Sequence, residues 1–178
     1  MKILGENTPK TNCEPREIVW TYGMFLLVLD QNKEAYQQLY RSVQESGTPA
    51  IYWPTMMIAA IKTRNTDAAM SLIKEKLTDF PEGVWAIQLT RLAAGQKTLE
   101  EVLASIREYT KVPRNERRGE AQYIAGELAL ANGNREAAEQ LFRQSVTNCM
   151  SCSIVSVLAA QRVSAMNQGQ KKSSGTEP

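Results

Sequence analysis

The residues of this chain that carry reactive side chains are few and widely spaced. Three cysteines are present, Cys13, Cys149 and Cys152, and histidine is absent. Cys149 and Cys152 have the C-x-x-C spacing of a redox pair or of two zinc ligands. A structural zinc site needs four cysteine or histidine ligands, and the redox motif accompanies a β-α-β pattern that this sequence lacks. We therefore favour inert thiols over a disulfide in an oxidising compartment, and a metal or redox role least.

General acid–base catalysis has no evident residue to perform it. Without histidine, the chain lacks the side chain that titrates near neutral pH. The sequence contains no phosphate-binding glycine loop, dinucleotide fingerprint or nucleophile elbow. Acidic pairs such as Glu100 with Glu101 fall on polar faces of predicted helices, where carboxylates are solvated. The sequence predicts a protein that is not an enzyme and that binds no cofactor or metal ion.

Length and charge exclude two further classes of partner. The 178 residues are 43% hydrophobic, enough for one domain with a core. Lysine and arginine total 21 against 19 acidic residues, without the basic stripe of a nucleic-acid-binding protein. No apolar run reaches the roughly 18 residues of a membrane span. The first 15 residues lack the apolar segment of a signal peptide, so we expect a cytoplasmic protein, or a periplasmic or envelope protein if a signal has been removed.

Apolar residues recur at helical spacing along the chain, and no segment alternates with the period of a strand. Nine helices are predicted, over 16–29, 34–46, 54–63, 66–79, 83–94, 98–111, 117–132, 134–147 and 152–166. Thr98 and Glu101 have the spacing of a capping box, and Pro54 fits a first helical turn that leaves Trp53 outside. Polar segments at 1–14 and 168–178 are predicted to be disordered tails around a helical domain at 15–167.

The helices pair into helix–turn–helix units with small residues at regular positions. Gly126 and Ala138 lie twelve residues apart in the stretch GELALANGNREAAEQLFRQSV, and Gly23 and Ala35 repeat this spacing near the N-terminus. Ala69 follows Ala35 by 34 residues. Antiparallel helices approach closely only where facing residues are small and a bulky apolar side chain fills the space beside them. A period of 34 in such units is typical of the tetratricopeptide repeat.

The chain resembles the tetratricopeptide repeat family over about residues 16 to 150. The family pattern has a small residue at position 8 of each unit, alanine at 20, a bulky apolar residue at 24 and often proline at 32. The matching residues are Gly23, Ala35 and Leu39 in the first unit, Trp53, Ala60, Ala69, Ile73 and Pro81 in the second, and Ala125, Gly126, Ala129, Ala138, Phe142 and Ser145 in the best-preserved unit. The second unit departs from the pattern at Met57, and in the third Gly95 and Ala104 imply different registers, of which we use the one set by Gly95. The resemblance implies an all-α superhelix of about four helix pairs with a C-terminal capping helix.

The resemblance also implies a concave groove lined by the first helix of each pair. Carried onto this chain, the groove positions predict partner binding by Trp20, Met24, Ile58, Lys62, Trp85, Leu89, Tyr123 and Glu127. Three aromatic rings, Trp20, Trp85 and Tyr123, are expected to stay exposed and to anchor one extended ligand. The alternative is that these rings pack between helices. Because Lys62 is the only basic residue among these positions, an apolar or helical partner segment fits better than a terminal carboxylate.

These expectations combine into a non-catalytic adaptor that binds another protein or a peptide segment. The last helix pair and its cap also resemble the closing units of bacterial tetratricopeptide lipoproteins that scaffold envelope complexes. A scaffold in a secretion or cell-wall complex is therefore one alternative. A second alternative is a self-associating structural module, in which Trp20, Met24 and the apolar groove pair with a second copy as a homodimer.

Overall fold

The computed structural model describes residues 15–44, 50–77, 84–106, 114–149 and 153–173. In these ranges the chain forms nine α-helices, one 3-10 turn and no strand, which confirms the all-α prediction. The helices are α1 (Pro15–Val28), α2 (Asn32–Gln44), α3 (Trp53–Thr63), α4 (Thr66–Leu77), α5 (Trp85–Ala93), α6 (Leu99–Ala104), α7 (Arg114–Ala131), α8 (Arg135–Asn148) and α9 (Ile154–Ser173), and the 3-10 turn is Ala50–Tyr52. Each predicted helix overlaps one of them. The predicted tail at 1–14, Cys13, Pro81 and Cys152 lie outside the described residues.

The predictions for two helix starts and one helix end agree with the structure to different degrees. Thr98 and Glu101 form the predicted capping box, each side chain accepting a hydrogen bond from the other residue's backbone N–H. Pro54 lies in the first turn of α3 as predicted, but Trp53 belongs to the helix and is fully buried. α9 continues through Ser173, so the domain boundary predicted at residue 167 falls inside a helix.

The same turn follows α1, α3, α5 and α7. The turn residues Asp30, Arg64, Gly95 and Gly133 all have left-handed φ angles, between 58° and 81°. After each of them, the next N–H donates to the carbonyl five residues earlier: Gln31 to Leu26, Asn65 to Ala60, Gln96 to Arg91, and Asn134 to Ala129, at 2.8–2.9 Å. This pattern ends a helix and reverses the chain. The first eight helices are therefore four helical hairpins.

Glycines lie where the helices of the first and fourth hairpins approach most closely. A Cβ atom built at Gly23 would lie 2.6 Å from Leu39 Cγ, and one built at Gly126 would lie 2.7 Å from Phe142 Cε1. Ala138, twelve residues after Gly126, has no exposed surface. The contacts predicted from the spacing of small and bulky residues are confirmed in these two hairpins.

α3 lies at the centre of the fold and α9 closes it. α3 contacts α2, α4, α5 and α7. The third hairpin is short, with nine residues in α5 and six in α6, and α3 reaches α7 beside it. α9 packs on α7 and α8 and also contacts α1, where Gln161 Nε2 donates to Val28 O at 2.8 Å. An open superhelix would keep its first and last helices apart, whereas these helices form a closed cluster.

None of the helices in the described ranges is long and apolar enough to cross a membrane.

We expect Gly126→Ala to lower the free energy of unfolding by about 1–3 kcal/mol, because the new methyl group overlaps the Phe142 ring. Helix propensity alone favours alanine by up to about 1 kcal/mol, so the sign of the effect reports on the contact. In urea denaturation, Gly126→Ala should cost less when Phe142→Leu is already present, because the smaller side chain leaves room for the methyl group. Gly23→Ala combined with Phe142→Leu is the control and should be additive. Additive effects of Gly126→Ala and Phe142→Leu would contradict the contact.

Candidate functional site

A buried carboxylate lies where α7 meets α9. Glu127, about one turn before the C-terminal end of α7, is 2% exposed. The guanidinium of Arg162, on α9, forms a bidentate pair of hydrogen bonds with this carboxylate. Nε donates to Oε1 at 2.7 Å, and Nη2 donates to Oε2 at 2.8 Å. The Tyr123 hydroxyl, one turn earlier on α7, donates to Oε1 at 2.7 Å. Both carboxylate oxygens therefore have hydrogen-bond donors, as a buried charge requires.

A lysine approaches the same carboxylate from α3. The Lys62 side chain is 4% exposed, and its Nζ lies 4.0 Å from Glu127 Oε1 and 3.8 Å from Asp30 Oδ1. Both distances exceed that of a hydrogen bond. Asp30, in the turn after α1, is largely exposed. We call Asp30, Lys62, Tyr123, Glu127 and Arg162 the charged cluster. It joins segments from both ends of the chain.

Burial and charge pairing shift three pKa values in the charged cluster. Burial lowers the pKa of Lys62, and the charges of Glu127 and Asp30 oppose this shift. Burial raises the pKa of Tyr123 well above its ordinary value, and the negative charge of Glu127 adds to the shift. Burial alone would lower the pKa of Arg162, but hydrogen bonds to Glu127 leave it raised. Tyr123 therefore stays protonated and Arg162 stays charged at neutral pH.

Part of the charged cluster lies in a cleft of about 260 Å³ between α1, α3 and α9. The cleft is lined by Val28, Leu29, Asp30, Lys62, Leu158, Gln161, Arg162 and Ala165. Arg162 is already bound to Glu127, and the remaining walls combine apolar side chains with the polar side chains of Asp30, Lys62 and Gln161. Within the described ranges, no three histidine, cysteine, aspartate or glutamate side chains are grouped so as to hold a metal ion. Burial raises the pKa of the Cys149 thiol, which disfavours the reactive thiolate.

The structure divides the eight predicted groove residues into three groups. Lys62, Tyr123 and Glu127 meet in the charged cluster, Ile58 and Leu89 are buried in the apolar core, and Trp20, Met24 and Trp85 keep partial exposure. The expectation that Tyr123 stays exposed is wrong. It has no accessible surface, because its ring packs on Phe142 and its hydroxyl is bound to Glu127. Helices of the chain itself thus occupy the predicted groove at these positions.

The two tryptophans among these residues pack against their own chain. Trp20 stacks on Tyr52, with ring centroids 4.8 Å apart. Trp85 Nε1 donates to Glu120 Oε2 at 2.5 Å, and the Arg117 guanidinium lies 5.0 Å from the centre of the indole ring. Burial raises the pKa of Glu120, and the hydrogen bond from Trp85 opposes this rise. These contacts agree with the alternative that the rings pack between helices.

An exposed apolar surface lies on α1 and its C-terminal turn. Ile18, Tyr22, Phe25 and Leu29 are 58%, 48%, 63% and 67% exposed. Their spacing of four, three and four residues places them along one side of a helix. We call these four residues the α1 face. They are four of the seven large apolar side chains that are exposed in the described part of the chain.

Sequence reasoning missed the α1 face because α1 is apolar on every side. The stretch from Ile18 to Leu29, IVWTYGMFLLVL, contains no charged residue. A helix that is hydrophobic all round is expected to be buried. α1, however, lies at the edge of the hairpins, where it packs mainly on α2 and makes a smaller contact with α9. One feature of the sequence could have indicated this exposed face. In this stretch, no charged residue lies on the side of α1 that faces away from the buried residues Gly23, Leu26 and Leu27.

Comparison of the chain with protein-family models, with curated proteins and with solved structures finds no match. Membership of the tetratricopeptide family and the resemblance to bacterial scaffold lipoproteins therefore stay predictions.

We expect Arg162→Met to lower the free energy of unfolding by about 3–5 kcal/mol, because Glu127 would stay buried without its bidentate partner. Adding Glu127→Gln should recover part of this loss, because a neutral amide is less costly to bury. Arg143→Met is the control. Arg143 is exposed in its ion pair with Glu139, and its loss should cost at most about 1 kcal/mol. Equal effects of the two arginine substitutions in urea denaturation would contradict a structural role for the buried pair.

We expect Lys62→Met to flatten the rise of stability with pH on the alkaline side. The pKa of Lys62 is lowered in the folded state, so the unfolded chain binds more protons between that pKa and 10.5. The contribution of Lys62 to stability therefore increases with pH across this window. Urea denaturation between about pH 8 and 10 measures it. Lys33→Met, at an exposed lysine, is the control. Parallel stability curves for wild type and Lys62→Met would show that Lys62 does not titrate abnormally.

Proposed function

We propose that the protein is a non-catalytic adaptor that binds another protein, and that the α1 face is where the partner docks. The observation that carries this proposal is the exposure of four large apolar side chains on one side of α1. Together they present on the order of 400 Å² of apolar surface, the size at which the largest patch of a monomer is often functional. Exposure of such a patch to water is unfavourable, and a docked protein would remove it.

The closed packing supports the α1 face over the predicted groove as the docking site. Ile58, Leu89 and Tyr123 are buried by helices of the chain itself. A partner at these positions would have to displace α9 or separate α3 from α7. The α1 face is accessible without any such rearrangement.

The spacing of the α1 face suits a helical partner. Apolar residues separated by four, three and four positions form the seam through which two helices pack in a coiled coil. An amphipathic helix with apolar residues at the same spacing would bury all four side chains. Leu29 belongs both to the α1 face and to the neighbouring cleft, so a side chain of the partner can enter the cleft beside it. An envelope complex is a second setting for this adaptor, supported only by the resemblance of the last hairpin and α9.

Capture from the native host tests the proposal. The variant Phe25→Ser/Leu29→Ser removes the most exposed half of the α1 face, and Val146→Ser/Val157→Ser removes two exposed valines from α8 and α9 as the control. Tagged proteins are incubated with lysate, and retained proteins are identified by mass spectrometry. Loss of these two anchors should weaken binding by about 2 kcal/mol or more, roughly 30-fold, with melting temperature nearly unchanged. Retention of the same proteins by both variants would refute docking at this face.

A further inference from the structure

We infer that the α1 face binds a second copy of this chain, with the two α1 helices packed antiparallel about a two-fold axis. The inference rests on the proposed function, because it identifies the occupant of the docking surface defined above. Two properties of the α1 face support it, the symmetry of its spacing and the absence of charge within its seam, and its area indicates how strong the contact can be.

The spacing of the α1 face is the same in either direction along the helix. Steps of four, three and four residues are unchanged by reversal, and the midpoint falls between residues 23 and 24. Rotation about a two-fold axis at this point places Ile18 opposite Leu29 of the partner subunit, and Tyr22 opposite Phe25 of the partner subunit. Aliphatic side chains then meet aliphatic ones, and rings meet rings. A two-fold interface requires this self-complementarity.

The absence of charge within the seam of the α1 face also permits self-pairing. Coiled-coil helices usually select a different partner through charged residues beside the apolar seam. The residues beside this seam include Val19, Thr21 and Val28, which are uncharged. The seam itself therefore brings no like charges together. The charges nearest to it are Glu34 of α2, which accepts a hydrogen bond from the Tyr22 hydroxyl at 3.4 Å, and exposed Asp30 at the C-terminal end.

The area of the α1 face agrees with a reversible dimer. Its exposed side chains present on the order of 400 Å² per copy, about half of the roughly 800 Å² that each partner buries in a standard interface. Thr21 is exposed beside the seam and would add to the contact. An interface of this size is smaller than that of stable complexes and lies in the range of weak, transient contacts, so we expect monomer and dimer to exchange with concentration.

Antiparallel pairing determines which residues of the two copies lie close enough for a disulfide to link them. The two copies of Ile18 lie eleven residues apart along the pair, about 16 Å at 1.5 Å per residue. Ile18 and Leu29 of the partner subunit are in contact. A parallel pair would instead bring the two Ile18 side chains together.

Disulfide trapping tests this arrangement. The three native cysteines are replaced by Cys13→Ser, Cys149→Ala and Cys152→Ser, and the fold is checked by circular dichroism. Chains with Ile18→Cys are then mixed with chains that carry Leu29→Cys and oxidised. We expect the mixed dimer to form at least ten times faster than a dimer of either chain alone. Equal rates for all three pairs, or faster self-coupling of Ile18→Cys, would overturn the antiparallel arrangement.

Sedimentation equilibrium of the native chain separates this inference from the proposed function. We expect the average mass to approach twice the chain mass as concentration rises, and Phe25→Ser/Leu29→Ser to weaken the dimer at least 30-fold while Val146→Ser/Val157→Ser does not. A wild-type protein that stays monomeric at all concentrations overturns the inference. If host proteins are still retained through the α1 face, the proposed function survives with a different partner. If the wild-type protein is monomeric and Phe25→Ser/Leu29→Ser lowers its melting temperature, the α1 face is covered within the chain. The inference and the proposed function then both fail.

Discussion

The carboxylate of Glu127, buried between α7 and its neighbours, limits how the helical hairpins can pack. A buried carboxylate must be hydrogen-bonded and paired with a cation, or its burial costs several kcal/mol. Arg162 supplies two hydrogen bonds from α9, and Lys62 approaches from α3. α7 can therefore be buried only with α9 lying across it and the end of α3 close by. This requirement brings the last helix of the fold to the first one, where Gln161 is bonded to Val28.

Closure at one end of the fold changes where a partner can bind. Helical hairpins that stack openly present a concave face lined by their first helices. In this chain α3 contacts α7, α9 contacts α1, and five of the eight side chains predicted to line such a face form the core or the charged cluster. The largest group of exposed apolar side chains in the described part of the chain is the α1 face. The same packing that buries Tyr123 thus leaves Phe25 exposed.

Local features of the fold were predictable from the sequence. The Thr98 capping box, and the pairing of Gly126 with Phe142 across a hairpin, depend on residues within one turn or within one pair of helices. Spacing alone identifies such contacts. The pairing of Glu127 with Arg162 joins residues 35 positions apart on helices whose crossing no local pattern specifies.

A partial signal for the nonlocal contacts was nevertheless present. Glu127 stands in the apolar stretch YIAGELAL, where a charge requires a cation from elsewhere in the chain. The sequence contains several arginines and lysines that meet this requirement, and choosing Arg162 needs the position of α9. The exposure of the α1 face was likewise not predictable, because apolar periodicity does not distinguish a helix at the centre of a fold from one at its edge.

The distance between α1 and α9 tests the closed packing most directly. Spin labels at Leu29→Cys and Ala165→Cys, in a chain without its native cysteines and diluted with unlabelled protein, report this distance by double electron–electron resonance. Both positions line the same cleft. The closed fold predicts one distance maximum, well short of the roughly 30–40 Å that four open helix-to-helix steps of 8–10 Å would give. A maximum in that longer range would show that the first and last helices do not meet, and would return the concave face to the solvent.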